Sequence, residues 1–426
     1  MFENSGLSMD QAPPIVVVLR FFLTGSIFGI VASFMLFFYG ESVTNFSSAQ
    51  ALALTHTLTL GVMASFMFGA LYQMLPVLCG VAIKEPETLA LRVNYALILG
   101  TIFLSISFFT ANLILYILAA LSLAYALFTT AYIMIQKLKT ISHSSSSRGM
   151  FTALISLVFV AILGLLLLSL RGGFNINIDY LALKSAHFSF GLFGWIALLI
   201  ISVSFQVIEM FYVTPPYNKR YANYLPQIII TLLFINLFSA IFAPAILNIV
   251  EYIIILLVAL HAGLTLIKLK QKKRAVTDAT ILFWAFGMSS YILFAFLYTL
   301  SQFITIPATI IVTLFAYFAL SIVFAMSYKI VPFLVWFHLN AKGYFEVPMM
   351  HEIAHPKYAR VNLYLFIASF VSILLANFIS IFWQISSLIL FLVFFMLFYI
   401  LYRAINRYFF ILKNGKKFEF NMPNLG

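Results

Sequence analysis

Charge is what this chain has least of. Only 8% of its 426 residues are Asp, Glu, Lys or Arg, and just 12 are acidic. In an ordinary soluble sequence roughly a quarter of the residues are charged. So few ions cannot cover a soluble surface, and a water-soluble globule is excluded. Cysteine is almost absent as well. The single Cys79 rules out an intramolecular disulfide and any thiolate metal cluster. Long polar stretches are also missing. The longest between apolar runs, 338–359, is too short to bury a core of its own.

What is present is hydrocarbon surface: 64% apolar residues and a mean hydropathy of +1.08. A helix needs about 20 apolar residues to cross a bilayer core, and lipid offers backbone N–H and C=O groups no other partners. Runs and breaks predict an all-α polytopic membrane fold in one integral membrane domain, 1–426. Its twelve spans are 15–40, 50–81, 91–110, 112–136, 150–170, 181–212, 225–243, 247–269, 277–301, 306–337, 360–380 and 382–404. The first follows an acidic start (Glu3, Asp10) and Pro13-Pro14 and is too long for a signal-peptide core, so it reads as a span. The spans at 112–136 and 247–269 follow their predecessors so closely that each pair reads as a tight hairpin.

Lys and Arg orient the bundle. With both termini in the cytoplasm, 21 of the 24 basic residues flank cytoplasmic ends, Arg171 and Lys184 fall on the opposite face, and Lys329 lies inside a span. Scattered over loops, these residues are insertion signals and not a nucleic-acid surface. The richness in Phe, Ile and Lys points to an AT-rich bacterial genome, hence to a bacterial inner membrane.

A local string recurs three times. It reads Tyr72-Gln73-Met74-Leu75-Pro76 in the second span, Phe205-Gln206-Val207-Ile208-Glu209 in the sixth and Tyr328-Lys329-Ile330-Val331-Pro332 in the tenth. These three are the longest predicted spans, and the string stands near the cytoplasmic end of each. The chain therefore divides into three four-helix arcs, 15–136, 150–269 and 277–404.

Four-helix arcs repeated three times, with special residues on helices two, six and ten, resemble the haem–copper oxidase subunit I superfamily. That resemblance implies three pores around a pseudo-threefold axis, with histidines on inner helices binding haem and copper. His56, in Thr55-His56-Thr57, opens helix two, and His187, in Ala186-His187-Phe188, opens helix six. By helix number and depth they match the family's low-spin haem ligand and a copper ligand, so haem, or in second place copper, is the expected cofactor. Three features of the family are missing. Helix ten has no His-x-His pair, the copper-ligating pair after helix seven is absent, and helix six lacks the His-Pro-Glu string. Oxygen reduction at a binuclear centre is therefore not expected. Two imidazoles still suffice for a six-coordinate haem. The alternative is that each histidine hydrogen-bonds a carbonyl or hydroxyl on a neighbouring helix, with Thr55, Thr57 and Ser189 at hand. His56 lies 17 residues before Gln73 and His187 lies 19 before Gln206. At about 100° per residue, that puts the two rings on different faces relative to the polar anchor.

The remaining histidines read as ordinary. His261 in helix eight suits an interhelical contact, His338 sits with interfacial aromatics, and His143 lies in a Ser-rich loop. His351-Glu352-Ile353-Ala354-His355 matches a zinc-protease string, but Pro356 opposes the helix that this motif requires, and a charged loop face is the better account. Ionisable groups inside spans are costly and usually paired. Glu209 and Lys329 are expected to pair if helices six and ten are neighbours. With Gln73 and Gln206 they would form a cytoplasmic polar ring, either a tie between inner helices or a proton or ion conduit.

The expected function is thus that of a haem–copper oxidase subunit I-like protein without the binuclear centre, holding one haem or metal through His56 and His187. Electron transfer, nitric oxide or metal handling and complex assembly all suit such a protein, and other respiratory membrane subunits are its expected partners. Two alternatives are a twelve-helix secondary transporter, 6+6 in plan, and a non-catalytic assembly subunit whose histidines only tie helices together.

Overall fold

The computed structural model of the protein describes residues 11–80, 82–141, 144–174, 177–274 and 276–417. Among them there is no strand beyond a single bridge between Tyr344 and Lys417. Among the described residues, twelve helices are long and apolar enough to span a membrane: α1 Ile15–Thr44, α2 Ala49–Val77, α3 Pro86–Thr110, α4 Leu113–Leu138, α5 Ser145–Arg171, α6 Tyr180–Tyr212, α7 Lys219–Phe242, α8 Pro244–Lys270, α9 Ala279–Leu300, α10 Ala308–Ala341, α11 Pro356–Ala376 and α12 Phe382–Asn414. The protein is an all-α, multi-pass membrane protein. An even number of spans returns both ends to one face, here called proximal, and the opposite face is distal.

Every predicted span is present, and the differences are at the ends. Helices begin in polar sequence wherever a side chain can cap them. Ser144 accepts from the Ser147 N–H, and Asn218 from those of Arg220 and Tyr221, so α5 and α7 start about a turn before their apolar runs. At the far end of the chain, α12 continues ten residues beyond the predicted 404, past Arg403 and Arg407. Leu401, Ala404, Tyr408 and Ile411 keep a buried stripe at helical spacing while the basic residues face outward. α12 is therefore as long as α6, and α10 runs on through Pro332 to Ala341. The two expected hairpins are tight. Asn112, after left-handed Ala111 (φ 49°), takes the N–H groups of Ile114 and Leu115 at the start of α4. Ala243 alone separates α7 from α8.

Nine helices follow one another around a closed perimeter: α1, α3, α4, α5, α7, α8, α9, α11 and α12, which packs back on α1. That last seam is close, since a Cβ on Gly29 would come within 2.1 Å of the Phe394 ring. Inside stand α2 against α1 and α3, α6 against α5, α7 and α8, and α10 against α9, α11 and α12. The order of neighbours thus repeats at four helices and not at six. α6 and α10 are the most buried, at 78% and 72% of their most apolar stretch, while most perimeter helices are half buried or less. Ring contacts join the inner three: Phe68 of α2 to Trp195 of α6 at 6.0 Å, and Phe193 of α6 to Phe315 of α10 at 5.9 Å. Without a hydrophobic drive between helices in lipid, such close apolar packing is what holds the bundle together.

A candidate dihistidine site between two inner helices

Both inner helices that carry an early histidine depart from α geometry just beyond it. α2 is π-helical over Thr57–Ala64, directly after His56, and α6 over Phe190–Ala197, three residues after His187. A π turn holds more residues than an α turn, so it advances the side chains more slowly around the axis, and such turns are frequent at functional sites. The two π segments are of equal length, so they turn both helices alike and leave the difference in phase relative to Gln73 and Gln206 in place. The rings face one another across the α2–α6 contact, with centroids 6.3 Å apart and planes within 20°.

Each ring is steered by its Nδ1. In His56 this nitrogen lies 2.8 Å from the Leu52 carbonyl, one turn back on the same helix. In His187 it lies 3.0 Å from the Val160 carbonyl of α5. A carbonyl only accepts, so Nδ1 carries the proton and Nε2 the lone pair. Among the described residues neither Nε2 has a hydrogen-bond partner. Thr57, a candidate partner in the sequence, is instead tied to Ser105 of α3 at 3.3 Å. The Ser189 hydroxyl is buried without a partner.

Neighbouring helices complete the setting. Gly164 of α5 lets His187 approach, since a Cβ there would stand 3.0 Å from its Cε1. On the other side the Phe108 ring of α3 lies 5.2 Å from His56. The Arg171 guanidinium, at the distal end of α5, stands 5.5 Å from the Phe108 centroid. Although α2 and α6 are inner helices, Leu58 and Leu60 on one and Leu192 and Phe188 on the other are only partly covered, Phe188 being 39% exposed.

This arrangement can be tested against a haem or metal. His56 and His187, each with a lone pair on Nε2, would be the residues to hold a haem or a metal that accepts two imidazoles. A backbone carbonyl on Nδ1, leaving Nε2 free, is the usual support of a ligating histidine.

The other polar residues do not gather as the sequence led us to expect. Lys329 pairs with Asp278, its Nζ 3.1 Å from Oδ2, and lies over the Tyr212 ring at 5.6 Å. Glu209 instead accepts the Tyr217 backbone N–H at 2.8 Å. Gln73 is buried with an unpartnered Oε1, and Gln206 is half-buried. No ring of these four side chains forms among the described residues. Asp278 is the cap of α9, accepting from the Thr280 and Ile281 N–H groups and from the Thr280 hydroxyl. Burial opposes its ionisation, but the Thr280 hydroxyl, the Lys329 ammonium and the Ile281 N–H together hold its carboxyl below the usual range. An Asp just before an apolar run is a legible capping signal. Its pairing across to α10 is not.

His261 makes an interhelical contact through both nitrogens. Nε2 lies 2.9 Å from Ser204 Oγ of α6, and Nδ1 lies 3.1 Å from the Tyr221 hydroxyl of α7. Tyr217 joins this cluster through Thr265 at 2.9 Å. Burial pushes its phenol up to about 12, so it stays protonated. His338 is buried at the proximal end of α10 with Nε2 unpartnered. The zinc-protease string is broken in two. His351 lies in a single turn, Met350–Ile353, while His355 caps α11 with an extended backbone and accepts the Lys357 N–H at 3.2 Å. Glu352 accepts the Met349 N–H at 2.7 Å. His143 lies outside the described residues.

Sequence reasoning singled out His56 and His187 but not the π turns, Gly164 or Phe108, which leave no mark in an apolar string. Against this geometry, no protein-family model and no curated protein sequence matches the chain.

Proposed function

We propose that this protein is a haem-binding membrane protein, similar in plan to haem–copper oxidase subunit I, in which His56 and His187 hold one iron porphyrin through Nε2. One observation carries the reading: two imidazoles from different four-helix blocks face each other at 6.3 Å with both Nδ1 atoms held by carbonyls. Haem would supply one-electron transfer. The protein's own contribution is to fix both ring planes and to surround them with apolar side chains. A bacterial inner membrane, with the termini cytoplasmic and the distal face periplasmic, is the setting we assign, and other respiratory membrane subunits are its partners. Copper in place of haem is the second choice, since two imidazoles alone also suit that ion.

The test is direct. Protein purified in detergent should show a Soret band and bound iron, and His56→Ala or His187→Ala should abolish or shift the band while the fold is kept. A colourless, metal-free wild type overturns the proposal. If that protein moved a solute in proteoliposomes it would be a transporter, and if inert an assembly subunit.

A further inference from the structure

Glu251 is a buried acid without a counter-ion. It stands two turns inside the distal end of α8 and is 9% exposed. Among the described residues no basic side chain comes within ion-pair distance of it. The Tyr298 hydroxyl of α9 donates to its carboxyl. An ionisable group inside a span is costly unless something neutralises it.

Three further polar groups in the distal half are buried and unpartnered: Asn236 of α7 by both Oδ1 and Nδ2, the Tyr291 hydroxyl of α9 and the Ser189 hydroxyl of α6. Register turns them toward one wedge. Asn236 is seven residues before Ala243 and Glu251 eight after it, so the α7–α8 hairpin sets them at like depth. At about 100° per residue, Asn236 falls midway between Tyr221, which reaches His261 of α8, and Leu233, which lies against Gly194 of α6. It therefore faces between α6 and α8. Tyr291 is two turns from Tyr298 on the same face of α9. Ser189 stands four residues before Phe193, whose ring meets Phe294 of α9 at 6.4 Å. A cleft of about 330 Å³ opens at the distal end between Tyr252, Thr299, Gln302 and Phe303. Tyr252 and Thr299 adjoin Glu251 and Tyr298 in sequence, so the cleft lies next to the carboxyl.

Carboxylate, amide and hydroxyl oxygens are the donors that hard cations take, and one carboxylate balances one positive charge. We infer that Glu251 and Asn236, with Tyr298, form a site for a monovalent alkali cation that enters from the distal face. Tyr291 and Ser189 offer oxygens deeper in the same wedge. The site is independent of the haem reading.

The experiment treats the detergent-purified protein with dicyclohexylcarbodiimide, which forms a stable adduct with protonated carboxyls in apolar surroundings, and maps the adduct by mass spectrometry. In choline chloride, Glu251 should be labelled. NaCl at about ten times its dissociation constant should slow that labelling roughly tenfold. Asn236→Ala should be labelled at the wild-type rate in choline chloride, which shows the fold kept, and should lose the protection. Labelling of the wild type that NaCl, LiCl and KCl all leave unchanged overturns the proposal, because the carboxyl then holds only a proton. So does the absence of an adduct at Glu251 in choline chloride. Full protection by NaCl in Asn236→Ala removes Asn236 from the site.

Discussion

The Lys329–Asp278 pair offers the sharpest quantitative test, because the sequence pointed to a different partner. The two side chains are 18% and 25% exposed. They fall between exposed pairs, which contribute about 0.2–1 kcal/mol, and buried ones, whose breaking costs about 3–5 kcal/mol. Contacts with the Tyr212 and Phe211 rings, at 5.6 and 5.9 Å, add about 0.5–1 kcal/mol. Lys329→Met should therefore cost about 2 kcal/mol, and Asp278→Asn about 1–2 kcal/mol, since an amide oxygen still caps α9. In a double-mutant cycle their coupling should be about 1 kcal/mol or more, while Lys329→Met with Glu209→Gln should be additive to within about 0.5 kcal/mol. Reversible unfolding in mixed detergent–SDS micelles measures all three. Additivity of the first pair, or coupling of the second, refutes the assignment. The pH dependence follows in sign. A carboxyl held low in the folded state stabilises fully above its unfolded value of about 3.9, and that contribution drains away as pH falls through it toward the folded value. Wild type should thus lose its advantage over Asp278→Asn on acidification below about pH 5.

Other substitutions separate structure from site. Gly164→Val places side-chain atoms where His187 now packs and should shift or remove the Soret band with little change in helical content measured by circular dichroism. His261→Leu leaves the Ser204, Tyr221 and Thr265 hydroxyls short of a partner; it should cost about 2–3 kcal/mol in the same unfolding assay and leave the Soret band alone. His355→Ala removes only a helix cap, about 1 kcal/mol, and zinc content measured by mass spectrometry should not change.

How much could be read from the sequence varied with the kind of interaction. Apolar runs of bilayer length are a property of composition, so all twelve spans were visible, and the short gaps before 112 and 247 marked two hairpins. Helix ends were less clear, because a helix stops at its caps and packing while the hydropathy signal stops at the membrane. Ser144 and α12 illustrate the two cases.

The sequence by itself determined that this is a polytopic helical membrane protein and that His56 and His187 sit at like depths near the start of two long helices. Only the tertiary structure decided that their rings meet, that Lys329 turns to Asp278 and not to Glu209, and that Gly164 makes room for an imidazole. The reason is geometric: depth follows from counting residues along one helix. Facing depends on the turn type of each helix and on which neighbour it packs against, which a count along one helix does not report.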